Sequence, residues 1–181
     1  MELVKNVSQD VINRARSIKV ILMDVDGVMT GGKIVYDSRG VEIKHFNAHD
    51  GLAIKLARAA GIRTGIISSR ESGTIRTRAA ELKMDYLYLG RYDKLPALRE
   101  LQETIQVQSE NICFIGDDLP DIPIMKEVGL AVAVNNATEM TKSYAHYVSQ
   151  KPGGEGAIRE VVEIILESQN LLEHAINKIW E

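Results

Sequence analysis

Short apolar runs rich in β-branched residues alternate along this chain with longer stretches of helical spacing, and few folds accept that pattern. The first run, Ile18 to Met23, stops abruptly at Asp24-Val25-Asp26-Gly27, as a buried strand ending in a functional loop would. Ile62–Ser68, Tyr86–Leu89, Asn111–Ile115 and Ala131–Val134 read as further short strands. Between them, Leu52, Leu56, Ala59 and Ala60 share one helical face, as do Ile75, Ala79 and Leu82, and Leu95, Leu98, Leu101 and Ile105. Asp50 and Gly61 fit a helix start and stop around the first of these. The expectation is an α/β fold with a doubly wound parallel sheet, Rossmann-like, covered on both faces.

Two segments break the rhythm. Lys33–Tyr36 and Val41–Phe46 flank the turn-forming Asp37-Ser-Arg-Gly40 and predict a small β-hairpin insert over residues 33–46. Ala157–Leu166 predicts an amphipathic helix, after which residues 167–181 either extend it, pack on their own core or meet a neighbouring subunit. With 181 residues and no Pro/Gly/Ser linker, the chain reads as one domain, 1–181.

Composition removes several classes of function. At 45% hydrophobic and 26% charged residues the chain is not a disordered protein. No apolar run approaches the roughly 20 residues of a membrane span. A net charge of −3 leaves no basic footprint for nucleic acid. Cys113, the only cysteine, has no internal disulfide partner, and Met1–Lys19 lacks the form of a secretory leader; both point to the cytoplasm.

Open parallel sheets bind ligands beyond the carboxyl ends of their strands. Those ends deliver Asp24 and Asp26 from the first strand and Ser68, Ser69 and Arg70 from the second. They also deliver Gly116, Asp117 and Asp118, with Asp121 a turn later; Lys94 opens the helix after Tyr86–Leu89. Carboxylates converging from two strands repel one another and call for a cation, and hard oxygen ligands suit Mg²⁺. A lysine, a hydroxyl and helix N-termini are the donors a phosphate needs. In Asp24-x-Asp26, one carboxylate can attack phosphorus and the other can carry the proton, so the pattern fits phosphate-monoester hydrolysis. It also fits a phospho-acceptor receiver domain, which would carry its acceptor on a middle strand.

In this order, Asp24-Val-Asp26-Gly-Val, Ser68, Lys94 and Gly116-Asp117-Asp118-Leu-Pro-Asp121 resemble the four motifs of the haloacid-dehalogenase-like phosphatases. The resemblance implies Asp24 as nucleophile and Asp26 as general acid/base. It also implies Mg²⁺ held by Asp24, the Asp26 backbone carbonyl and Asp117, with Ser68 and Lys94 on the phosphoryl group and Asp118 and Asp121 behind them. Only 41 residues separate Asp26 from Ser68 and 25 separate Ser68 from Lys94, too few for a cap domain, so the chain looks like the capless subgroup.

Among capless members it is similar to sugar-acid phosphatases over about Ile18 to Glu163, including Phe46–Gly51 and Gly153–Glu160. That likeness implies a small-molecule substrate, an eight-carbon ulosonate phosphate of lipopolysaccharide synthesis, with a nine-carbon ulosonate or broad sugar phosphates as the alternative. It further implies a homotetramer and a sugar pocket lined by Asn47, His49, Asp50, Gly51, Lys55, Arg70 and Arg78. His49 stands where an arginine is usual and Ser69 where a glycine is; Arg70 favours the eight-carbon acid.

Blander readings remain for several of these residues. Asp118 and Asp121 also suit a cap on the following helix, Arg70 and Arg78 a polar helix face, and Gly153–Gly156 a flexible turn. Gly27 to Lys33 has the glycine and lysine spacing of a P-loop, but Ile34 occupies the Ser/Thr position and a hairpin follows. Cys113, between Ile112 and Phe114, reads as a packing thiol.

Overall fold

The computed structural model describes residues 3–180. After a short 3₁₀ turn come α1 (Gln9–Ala15), β1 (Val20–Met23), β2 (Val35–Tyr36), β3 (Glu42–Ile43), α2 (Ala48–Ala59), β4 (Arg63–Ile67), α3 (Gly73–Leu82) and β5 (Tyr86–Tyr88). The second half supplies α4 (Leu95–Ile105), β6 (Ile112–Gly116), α5 (Ile122–Met125), β7 (Leu130–Ala133), α6 (Glu139–Lys142), β8 (Tyr147–Val148), α7 (Ala157–Ser168) and α8 (Leu172–Lys178).

Six strands form one parallel sheet in the order β5-β4-β1-β6-β7-β8, the doubly wound arrangement expected. Every residue of β1, β6 and β7 is buried, so both faces of the centre are covered. The winding reverses at β1: β4 and β5 lie to one side, and β6, β7 and β8 to the other. In register, Met23 lies beside both Ile66 and Ile115, so the residues after these three strands emerge at one level. A crevice at that reversal is where such sheets bind ligands.

The hairpin forms as a separate two-stranded sheet with two residues in each strand, shorter than the sequence predicts. Asp37 fixes its turn by accepting from Arg39 N at 2.8 Å and Val41 N at 2.9 Å. Two strands without a covering layer have little to hold more of them regular. Between β1 and β4 the chain holds only this hairpin and α2, so no cap domain interrupts it.

α1, α2, α7 and α8 pack on one another, and α4 packs on α5. The tail neither extends α7 nor projects away from it. It turns at Asn170, with a φ of 58°, and lays α8 against α2. Ala175 is buried there, while Ile176 and Trp180 stay exposed; Glu181 lies outside the described residues. Among the described residues no helix is long and apolar enough to cross a membrane. Cys113 is fully buried, and burial pushes its thiol pKa up, as befits a packing residue.

The starts of α2 and α7 are joined by side chains. Asn47 Oδ1 caps α2 by accepting from His49 N at 2.7 Å, and Asn47 Nδ2 donates to Gly154 O at 3.2 Å. Gly156 at the N-cap of α7 has no side chain to offer, and Asp50 supplies the missing acceptor. Its carboxylate takes Arg159 N at 2.9 Å and Gly156 N at 3.3 Å. Asp50→Ala is expected to lower unfolding stability by about 1–2 kcal/mol, as loss of a helix cap does. Urea denaturation reads this, and an unchanged midpoint would mean that the cap contributes nothing.

Candidate active site

β1 carries Asp24 out of the sheet, its backbone N–H still bonded to Ile115 O of β6 at 3.0 Å. β4 delivers Ser68 in the same way, through a bond to Tyr88 O at 2.9 Å. β6 delivers Asp117, and Lys94 reaches in from the start of α4. These residues and Asp26, Ser69, Arg70, Tyr92, Asp118, Pro120 and Asp121 line one cleft of about 180 Å³.

Lys94 lies at its centre. The side chain is only 2% exposed, and Nζ is 2.5 Å from Asp121 Oδ1 and 3.0 Å from Asp24 Oδ1. Burial alone would lower its pKa, but the two carboxylates outweigh that and hold it above the ordinary lysine range. Asp24 responds oppositely. Burial pushes its carboxyl up to about 6 against the pull of Lys94, which leaves it ionised at neutral pH. Asp117 is pushed further, to about 8, by burial and then by the charges of Asp24 and Asp121.

Asp121 is fully occupied: Oδ1 meets Lys94, and Oδ2 accepts from Asp117 N at 2.8 Å and Asp118 N at 3.3 Å. It thereby fixes the loop that aims Asp117. Asp118 is exposed and accepts from Leu119 N at 2.8 Å, a cap on the short turn that follows. Oxygens of Asp24, Asp117 and Asp121 lie within 4.8 Å of one another. Asp117 Oδ1 is buried without a hydrogen-bond partner among the described residues, and Asp24 Oδ1 faces the Lys94 ammonium at 3.0 Å. One unpartnered carboxylate oxygen beside two acids that share a single ammonium is a donor set that fits a hard divalent cation. Gly27, at φ 103°, lets the loop close over them, since a Cβ there would sit 2.1 Å from Asp117 Oδ2.

The residues expected to line a sugar pocket do not gather here. Among the seven, only Arg70 lines the cleft; its Nε is 3.6 Å from Asp26 Oδ2, and its Nη2 meets Glu42 at 2.7 Å and Tyr36 Oη at 3.1 Å. Asn47 and Asp50 are engaged as helix caps. His49 is exposed beside a different groove with Glu155 and Arg159. Lys55 lines a third, with Arg58, Lys83 and Lys178. Arg78 packs 5.5 Å from the Phe46 ring and pairs with Glu81 at 2.9 Å. It fills the space beside Gly51, where a Cβ would meet Nη2 at 2.4 Å. Sequence reasoning missed Tyr92 and Pro120 in the lining, and it missed Lys44, whose ammonium bonds Asp26. For Lys44 a signal existed: strand alternation puts it on the same face as Glu42.

A doubly wound sheet whose reversal point gathers Asp24, Ser68, Lys94 and Asp117 defines a class of phosphoryl-handling enzymes. The haloacid dehalogenase-like hydrolase family matches residues 88–161. The 3-deoxy-D-manno-octulosonate 8-phosphate phosphatase KdsC of Yersinia pestis is 44% identical over 169 residues, 93% of this chain and 90% of that one. KdsC of Escherichia coli K12 is 40% identical over the same shares. The crystal structure of the Yersinia pestis phosphatase superposes with a TM-score of 0.91 at 44% identity, covering 92% of this chain and 90% of that one. The Moraxella catarrhalis phosphatase, solved with magnesium ion, phosphate ion and KDO, gives 0.91 at 38% identity, covering 94% and 98%. The chain belongs to the haloacid dehalogenase-like hydrolases, in the branch of these KdsC phosphatases.

The raised pKa of Asp117 has a measurable cost. Without metal, the folded chain keeps a proton that the unfolded chain releases near pH 4, so this group's contribution to stability declines as pH rises from about 4 to about 8. Asp117→Asn is expected to melt above the metal-free wild type by a margin that widens from about pH 5 to about pH 8, and saturating Mg²⁺ is expected to reverse the order. Thermal melts with and without EDTA check both halves.

Proposed function

We propose that this protein is a Mg²⁺-dependent phosphatase that hydrolyses 3-deoxy-D-manno-octulosonate 8-phosphate to the free sugar acid and inorganic phosphate. The observation that carries the proposal is the cleft holding Asp24, Asp26, Ser68, Lys94 and Asp117, in a chain 44% identical to KdsC over 93% of its length. Asp24 and Asp117, with the Asp26 backbone carbonyl, would hold Mg²⁺, which when bound supplies positive charge against the phosphoryl oxygens.

The chain's own groups account for the rest. Asp24, ionised at neutral pH beside Lys94, attacks phosphorus; the Asp24 O–P bond forms as the P–O bond to the sugar breaks. Asp26 gives its proton to the departing sugar oxygen, then takes one from the water that cleaves the aspartyl-phosphate and restores Asp24. Lys94 stabilises the negative charge of the transferring group. The buried Ser68 hydroxyl, which accepts from Arg70 N at 3.3 Å, keeps its own proton for a phosphoryl oxygen. A receiver domain would store the phosphoryl group, and the position of the acceptor on the first strand with a second acid two residues on favours release.

A homotetramer is part of this reading. It is supported by the hairpin, where Ile34, Val35, Tyr36, Val41 and Ile43 are exposed on a sheet too small to stand alone. Asn47, His49, Asp50, Gly51, Lys55 and Arg78 lie away from the cleft of a single chain, so in this reading a neighbour's surface completes the sugar pocket. A cytoplasmic location is supported by Cys113, a lone buried thiol suited to a reducing compartment.

Steady-state phosphate release from the eight-carbon and nine-carbon ulosonate phosphates, each with Mg²⁺ and with EDTA, tests the substrate. The expected outcome is preference for the eight-carbon ester and loss of turnover in EDTA; preference for the nine-carbon ester would overturn the substrate but not the chemistry. Asp24→Asn is expected to lower kcat by at least about 10³-fold while the far-ultraviolet circular dichroism stays unchanged. Full activity with deamidation excluded would reject Asp24 as nucleophile.

A further inference from the structure

Lys44 follows β3 directly, on a hairpin whose other side chains are largely solvent-facing, yet its own side chain is only 2% exposed. Its ammonium bonds Asp26 Oδ1 and lies 3.2 Å from Glu42 Oε1. Glu42 in turn receives Arg70 Nη2 at 2.7 Å, and Arg70 Nε returns to Asp26 Oδ2 at 3.6 Å. Two acids and two bases thus close a ring of balanced charge, with Asp26 as the only member from the loop after β1.

Burying an ammonium is costly unless a partner compensates it, and apolar side chains would fasten a hairpin at lower cost. The partner chosen here is the carboxylate read as the proton carrier. A short aspartate on a loop has rotameric freedom, and proton transfer is sensitive to misplacement of a fraction of an ångström. Held at Oδ1 by Lys44, Asp26 keeps Oδ2 buried without a hydrogen bond among the described residues, 3.6 Å from Arg70 Nε.

We infer that Lys44 is a positioning residue for the reaction: through its bond to Oδ1 it fixes the orientation of the Asp26 carboxyl in the cleft. The inference rests on the reading of Asp26 as general acid/base. It makes the hairpin part of the catalytic apparatus, since the residue that orients the acid is carried on it.

The test uses leaving groups. kcat/KM reports events up to departure of the first product. A sugar alkoxide needs a proton to depart, whereas para-nitrophenolate leaves as a stable anion. Lys44→Met is expected to lower kcat/KM about 30-fold on the sugar phosphate and less than about 3-fold on para-nitrophenyl phosphate, a part of the roughly 10²–10⁴-fold that general acid catalysis contributes. Lys44→Arg, which keeps a donor at the same place, is expected to recover part of the loss. Equal losses on both esters, or none, would overturn the inference.

Asp26→Asn measured in parallel separates the two readings. Non-selective loss there would reject Asp26 as the acid, whereas selective loss there without selectivity in Lys44→Met would reject the role of Lys44 alone. If Lys44→Met does not fold, Glu42→Gln, which loosens the other hold on the same ammonium, is expected to shift the ratio in the same direction. An unchanged ratio would then overturn the inference.

Discussion

The site depends on the buried ammonium of Lys94 between Asp24 and Asp121. Three carboxylates drawn together from two strand ends would repel one another strongly in a poorly hydrated crevice. Lys94 offsets enough of that to leave Asp24 ionised, while Asp117 rises to about 8 without metal. The cluster is therefore short of one positive group, which is the condition under which a divalent cation binds. Asp121 connects this balance to the backbone, since its second oxygen orders the loop that aims Asp117.

Around that centre the loops are held by backbone contacts. Thr30 Oγ1 accepts from Gly27 N at 3.4 Å and Gly32 N at 3.3 Å and donates to Val25 O, which shapes the loop after β1. Gly154 N donates to Val28 O at 2.8 Å, so the loop preceding α7 lies directly on it. Asn47 and Asp50 then tie that second loop to α2. The loop after β1, α2 and α7 therefore form one connected unit, and Asp50 holds its walls together.

The hairpin is the least self-sufficient part of the fold and carries two different surfaces. Its apolar residues are left without cover, while Glu42 and Lys44 turn inward to Asp26 and Arg70. One segment thus carries an uncovered apolar surface on one side and an ion-paired contact with the cleft on the other. Through that contact a chain without a cap domain places Glu42 and Lys44 beside the cleft.

The sequence by itself determined the sheet, its direction and the residues at its reactive edge. Strand and helix periods are local properties, and parallel topology then obliges the residues after β1, β4 and β6 to meet. Asp24, Ser68 and Asp117 were legible for that reason, and Lys94 as the residue that opens the helix after β5. α1, with little beyond Val11 and Ala15 buried, and the two-residue β8 give too weak a periodic signal to stand out. The pairing of Lys44 with Asp26, the capping of α7 by Asp50 and the separation of Lys55 and Arg78 from the cleft were decided only by tertiary structure. They depend on where one element's side chains meet another's across long sequence separations, and no local pattern encodes that direction.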